Sequence, residues 1–159
     1  GTIAAEKDGQ SILVLIEANP GPGLGILLAF TVFGVGLLRA SAPGAIIIHF
    51  LGGIHEIYFP YVLLRPIVVL GAIAGGATGV ATFVATGVGL VATPSPGSIF
   101  AYMAVTPQGN HFGVILGILL AAAVSFTVTF FILKASKNQD EDLAAAQAKS
   151  KTMKSGTAA

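Results

Sequence analysis

Two carboxylates inside an apolar block carry the first chemical signal. Glu17 and Glu56 are the only acidic residues between Gly9 and Leu133. A charge at membrane depth costs at least about 2.5–3.5 kcal/mol on insertion scales, so one kept there usually faces a cavity and marks a site. Glu56 lies in Gly52-Gly53-Ile54-His55-Glu56-Ile57-Tyr58-Phe59-Pro60-Tyr61, and Glu17 just precedes Asn19-Pro20-Gly21-Pro22-Gly23. The paired glycines loosen the backbone before the His-Glu pair. Pro60 has no N–H, so a helix here leaves the Glu56 carbonyl without its partner; Pro20 does the same to Ile16. Freed carbonyls, carboxylates, an imidazole and the hydroxyls of Tyr58 and Tyr61 form a set that binds hydroxyls, which suits a polyol or sugar. It is poor for a metal, which wants more hard oxygens or more histidines at fixed spacing, and no metal or cofactor is expected. No Gly-rich phosphate loop followed by Lys and Ser/Thr is present. The plainer reading of each glutamate is an ion pair with Arg39 or Arg65. His49 is six residues before His55, so on a regular helix the two point in different directions, and His49 reads as a packed, hydrogen-bonded residue. His111, in a polar turn, reads as solvated. Arg65 reads equally as a membrane-interface anchor or as a phosphate-facing group.

These groups need a scaffold, and composition says which kind. The chain has 159 residues, 54% of them hydrophobic and 9% charged, against about 25% charged in a soluble domain. Only Glu17, Arg39, Glu56 and Arg65 are charged between Gly9 and Leu133. Such a stretch cannot supply a polar skin, which excludes a soluble enzyme and equally a disordered chain. A net charge of +1 without a basic stripe gives no support for nucleic-acid binding. The absence of cysteine removes disulfides, thiolate metal sites and cysteine nucleophiles from this chain. It begins with Gly1 and no charged-then-apolar leader, which reads as a fragment, a processed product or part of a larger polypeptide.

The fold class is therefore an all-α integral membrane protein in a lipid bilayer, with full spans beside re-entrant hairpins or broken helices. Residues 1–9 form a polar N-terminal segment, 10–133 the membrane domain, and 134–159 a Lys/Ala/Ser tail. A span needs about 20 apolar residues. Segments 67–91 and 112–133 satisfy that, and 24–38, stopping at Arg39, is marginal. Asn19-Pro-Gly-Pro-Gly and Ser41-Ala42-Pro43-Gly44 read as helix breaks. Irregular backbone at membrane depth is tolerated where it faces protein or a watery cavity, which is how transporters build substrate sites. Lysines in the tail place it in the cytoplasm, with Arg39 and Arg65 on the same side and 93–111 outside. Residues 40–64 then dip in and return, and Lys7 suggests the same for a hairpin around Glu17. A shared Pro-x-Pro-Gly core at Pro20 and Pro94 hints at two related hairpins, which competes with the outside loop. Gly71, Gly75 and Gly79, and Gly113, Gly117, Ala121, Ser125 and Thr129, mark small-residue stripes. They fit packing within the chain ahead of a dimer seam.

The run from Gly52 to Leu63 resembles the signature of the mannitol-type enzyme IIC, the membrane permease of the bacterial sugar phosphotransferase system. So do Glu17-Ala18-Asn19-Pro20-Gly21-Pro22-Gly23-Leu24-Gly25, Ser41-Ala42-Pro43-Gly44 and Ser95-Pro96-Gly97-Ser98. The resemblance covers about residues 10–135 and corresponds to the second half of that domain. The tail resembles the linker to a cytoplasmic IIB domain. The resemblance implies a multi-pass protein of the bacterial cytoplasmic membrane that phosphorylates mannitol or a related hexitol during uptake. It implies that Glu56 binds, and helps activate, sugar hydroxyls, with Glu17, Asn19 and His55 completing the substrate site. Implied partners are a phosphorylated IIB domain, the first half of the IIC domain and a second copy in a homodimer. Those parts are missing from this sequence, so the chain alone is expected to be inactive. A passive polyol channel and a truncated or scaffold membrane protein are the alternatives.

Overall fold

The computed structural model describes residues 11–136, and the 1–9 segment and nearly all of the 134–159 tail lie outside the described residues. Among the described residues the regular elements are helices: α1 (Ile12–Glu17), α2 (Gly21–Phe33), α3 (Gly36–Ile46), α4 (Phe59–Leu64), α5 (Val69–Thr86), α6 (Ile99–Ala104) and α7 (His111–Ala135). Three stretches are long and apolar enough to cross a membrane: Ile12–Phe33, Pro66–Thr86 and His111–Ala135. At 25 residues, α7 rises about 37 Å, more than the hydrocarbon core requires.

Small residues explain why α7 is the centre. Lipid gives no hydrophobic push between helices, so close backbone approach has to hold them. The predicted stripes face each other: Gly71 sits against Thr129 and Ser125, and Gly75 against Ala121 and Ser125. Gly117 receives the Phe83 ring, so α5 runs antiparallel to α7. On another side of α7, Gly21 backs onto Ile118 and Ala121, and Gly25 onto Ala122 and Ser125. Phe33 packs against Phe130 at 4.6 Å between ring centroids, so α2 runs parallel to α7. The Ser125 hydroxyl donates to the Pro22 carbonyl at 2.8 Å, tying the two helices across their contact. The stripes thus serve packing within the chain.

Two apolar clusters flank that seam. One gathers Leu27, Phe30, Tyr61, Val68 and Leu133 toward the C-terminal end of α7. The other gathers Leu15, Phe83, Leu90, Tyr102 and Val114 toward its N-terminal end. The Tyr102 hydroxyl donates to the Leu15 carbonyl at 2.9 Å, which fastens the short α6 to α1.

Several boundaries differ from the sequence reading. The Asn19-Pro-Gly-Pro-Gly run interrupts only residues 18–20; α2 starts at Gly21 with Pro22 in its first turn, where a missing N–H costs nothing. The helix then stops at Phe33, before Gly34 and a left-handed Gly36 at φ +57°, not at Arg39. Arg39 lies inside α3. Ser41-Ala42-Pro43-Gly44 does not break the chain, because Pro43 is accommodated within α3, with Pro43 and Gly44 on an exposed face. The Glu17 segment is part of the Ile12–Phe33 span and not a hairpin dipping from the basic side. Ser11 pairs its backbone with Leu90, at the α7 end opposite Lys134. Lys7 lies outside the described residues.

Candidate functional site

The irregular backbone between α3 and α4 places the His-Glu pair. After Ile46 the helix widens into a π turn over Ile47–Leu51. Gly53 takes φ +76°, a conformation that an L side chain rarely adopts. A Cβ there would also collide with the Gly97–Ser98 backbone. A tight 3-10 turn, His55–Tyr58, then leads into α4. Its geometry supplies the Glu56 carbonyl with the Phe59 N–H. That carbonyl is therefore not freed by Pro60: the 3-10 bond reaches three residues on, one short of the proline.

The widened turn also changes where the histidines point. The His49 and His55 rings lie 4.6 Å apart between centroids, although a regular helix would separate them. His49 is 1% exposed. Its Nε2 lies 2.9 Å from the Pro20 carbonyl, so that nitrogen must carry the proton and donate. His55 Nε2 likewise donates to the Gly97 carbonyl at 3.0 Å. Tyr58 meets the His49 ring edge-on at 5.9 Å. Gly23 completes the packing, since a methyl there would come within 2.6 Å of the His49 ring and 2.8 Å of Tyr58. The two Pro-x-Pro-Gly motifs thus converge on one histidine pair, and the 94–97 loop is packed inward against Gly53 and His55.

Glu56 is exposed at the head of this turn, and Glu17 is exposed at the end of α1. Among the described residues neither carboxylate is ion-paired with Arg39 or Arg65. Asn19 is half-buried. Its Oδ1 accepts from the Gly21 N–H at 2.9 Å, and its amide nitrogen lies against Gly79 of α5. Asn19 therefore satisfies the first N–H of the resumed helix while its neighbour Pro20, the helix cap, holds His49. Backbone and ring contacts link the Ala18-Asn19-Pro20 break to the His55-Glu56 turn through Pro20, His49 and the paired imidazoles.

Other candidates take structural posts. Tyr61 is 3% exposed; its hydroxyl meets the Ser41 hydroxyl at 2.8 Å and its ring packs on Phe30. It is not available as a sugar-facing ring. Arg65 is buried and donates to the Ser136 carbonyl at 3.2 Å, joining the end of α4 to the end of α7. His111 is half-buried, with Nε2 3.3 Å from the Met103 carbonyl, and not simply solvated in a turn. His49 is packed and hydrogen-bonded, as its spacing suggests; what the spacing argument missed is its contact with His55. Its signal was the Gly52-Gly53 pair, which permits the backbone to double back.

Over 154 residues, 97% of the chain, the sequence is 62% identical to the PTS system mannitol-specific EIICB component of Geobacillus stearothermophilus, 33% of which it covers. It is 61% identical over the same share to the component of that name in Bacillus subtilis, covering 32% of it. It is 53% identical over 142 residues, 89% of the chain, to the mannitol-specific cryptic EIICB component of Escherichia coli, 31% of which is covered. The chain spans about a third of the length of these curated relatives. No family model and no solved structure matches it.

Proposed function

We propose, from the homology of this chain to a portion of mannitol-specific EIICB components, that it forms the sugar-binding part of a mannitol permease. Sixty-two per cent identity running through 97% of the chain is the observation that carries this reading. Mannitol, or a related hexitol, is bound at Glu56, with Glu17, Asn19 and His55 around it. Exposed carboxylates accept hydroxyl protons as hydrogen bonds, which is what an uncharged polyol offers. The His49–His55 contact supports the same reading, because it holds the Glu56 turn to the Asn19-Pro20 break.

Phosphorylation is coupled to uptake. A phosphorylated IIB domain delivers the phosphoryl group: Glu56 orients the attacking hydroxyl or accepts its proton as the new P–O bond forms, while the phosphorus–IIB bond breaks and the dephosphorylated IIB group leaves. The membrane domain contributes mostly position and desolvation. The polar tail leads into the cytoplasm, on the side of Arg39, Arg65 and Lys134, and two copies assemble with the remaining parts of the permease in the bacterial cytoplasmic membrane. Transport and phosphorylation belong to that whole assembly.

The test is mannitol binding in membranes carrying the complete permease. Glu56→Ala is expected to abolish binding while insertion survives, and Glu56→Gln to bind weakly. Wild-type affinity in both removes Glu56 from the site. Mannitol uptake without phosphorylation in the complete assembly points to a passive polyol channel.

A further inference from the structure

We propose that the basic end of the helix bundle holds one anionic phospholipid, its phosphate between Arg39 and Lys134. A cavity of about 510 Å³ opens there, lined by Val32, Phe33, Gly34, Val35, Arg39, Phe130, Leu133 and Lys134. It exists because α2 stops at Phe33 and α3 restarts at a left-handed Gly36, which leaves a notch beside the end of α7. Both cations are exposed. The Lys134 ammonium lies 5.6 Å from the centre of the Phe130 ring, over its face. Phe33 and Phe130, packed at 4.6 Å between ring centroids and tilted by 55°, form an apolar wall below the charges.

Charge complementarity selects the occupant. Two cations at the rim ask for a phosphate or another anion. An apolar wall beneath them, built by Val32, Phe33, Val35, Phe130 and Leu133, asks for an acyl chain attached to that anion. Basic pockets between membrane helices hold anionic headgroups for this reason. A free phosphate satisfies the rim only, and a zwitterionic lipid the wall only. The two carboxylates of the described chain stand away from this pocket, so neither neutralises it.

The chain has no tryptophan, so a single Phe130→Trp substitution reports the pocket alone. The full chain is reconstituted in vesicles doped with brominated phosphatidylglycerol or brominated phosphatidylcholine. Phosphatidylglycerol is expected to quench the tryptophan at a lower mole fraction, with a preference of roughly fivefold per cation. Arg39→Gln and Lys134→Gln each reduce that preference, and excess inorganic phosphate leaves it intact. A Leu119→Trp reporter, exposed elsewhere on α7, shows no such preference. Phe33→Trp repeats the measurement if Phe130→Trp does not fold. Equal quenching by the two lipids overturns the proposal, as does a preference that survives loss of both cations. Competition by inorganic phosphate overturns it in favour of a small-anion site. Absence of quenching by either lipid at both reporters overturns it in favour of a protein surface covering the notch.

Discussion

The His49 and His55 rings meet at 4.6 Å between centroids, tilted by 45°, and each gives its Nε2 proton to a different Pro-x-Pro-Gly motif, His49 to Pro20 and His55 to Gly97. Two breaks 74 residues apart in the sequence are thereby fixed to one another at the level where Glu56 emerges. Removing the buried ring should be felt in both. His49→Phe keeps an aromatic of similar size but cannot donate, leaving the Pro20 carbonyl without its partner. The expected loss is about 1–3 kcal/mol of stability. His55→Ala, at a half-exposed position, should cost less. Thermal unfolding in detergent compares them, and equal losses would show that the buried donor has no special part.

The glycines of α5 allow a sharper contrast. A methyl at Gly75 would come within 2.6 Å of the Ala121 carbonyl and 2.7 Å of the Ser125 side chain, whereas at Gly76 nothing lies within 4 Å. Gly75→Ala must push two helices apart and is expected to destabilise by about 1–3 kcal/mol. Gly76→Ala gains helix propensity without a clash and should be neutral or stabilising by up to about 1 kcal/mol. If the two neighbours respond alike in a stability assay, the α5–α7 seam is not where the structure has it.

Much of this seam was legible, because a period of four in small residues has one geometric meaning on a helix. The long spans were legible for a similar reason: Pro66–Thr86 and His111–Ala135 lack any polar interruption strong enough to end them. Breaks were harder. Pro43 looks like a stop but sits inside α3, while Gly34 and Gly36, which do stop α2, looked like ordinary small residues in an apolar run. The His49–His55 contact depends on a π turn and on the left-handed Gly53. Fixed-period reasoning assumes a regular helix and so sends the two rings apart. Tyr61 was misread because its partners, Ser41 and Phe30, arrive from distant segments.

Orientation can be read with the cysteines that the chain lacks. Arg39 and Lys134 border one cavity, and Arg65 is bonded to Ser136, so these cations share one end of the bundle. Gln108, exposed in the turn before α7, lies at the other end. In the complete permease in intact cells, an impermeant thiol reagent is expected to label Gln108→Cys directly and Lys134→Cys only after the cells are opened. Positively charged ends face the cytoplasm, and the reverse pattern would invert the proposed topology.

Glu17 and Arg39 supply the last comparison. Glu17 is exposed at the end of α1, three residues before the Pro20 carbonyl that His49 holds. Arg39 lies in the notch beside Lys134, and Arg65 is buried against the end of α7. Among the described residues no ion pair joins Glu17 to either arginine. A double-mutant cycle between Glu17 and Arg39 should therefore show no coupling beyond the roughly 0.3–0.5 kcal/mol seen for independent sites. If Glu17 accepts a hydrogen bond from the polyol, Glu17→Ala should instead weaken mannitol binding by about 1.5–3 kcal/mol, the range for a bond to a charged group. Stability should change little, because an exposed carboxylate without a partner contributes little to folding. The measurement is mannitol affinity and thermal stability, taken together in the complete permease, for Glu17→Ala, Arg39→Ala and the double variant. Unchanged affinity with stability coupled to Arg39 would take Glu17 out of the sugar site and leave Glu56 as the only carboxylate proposed there.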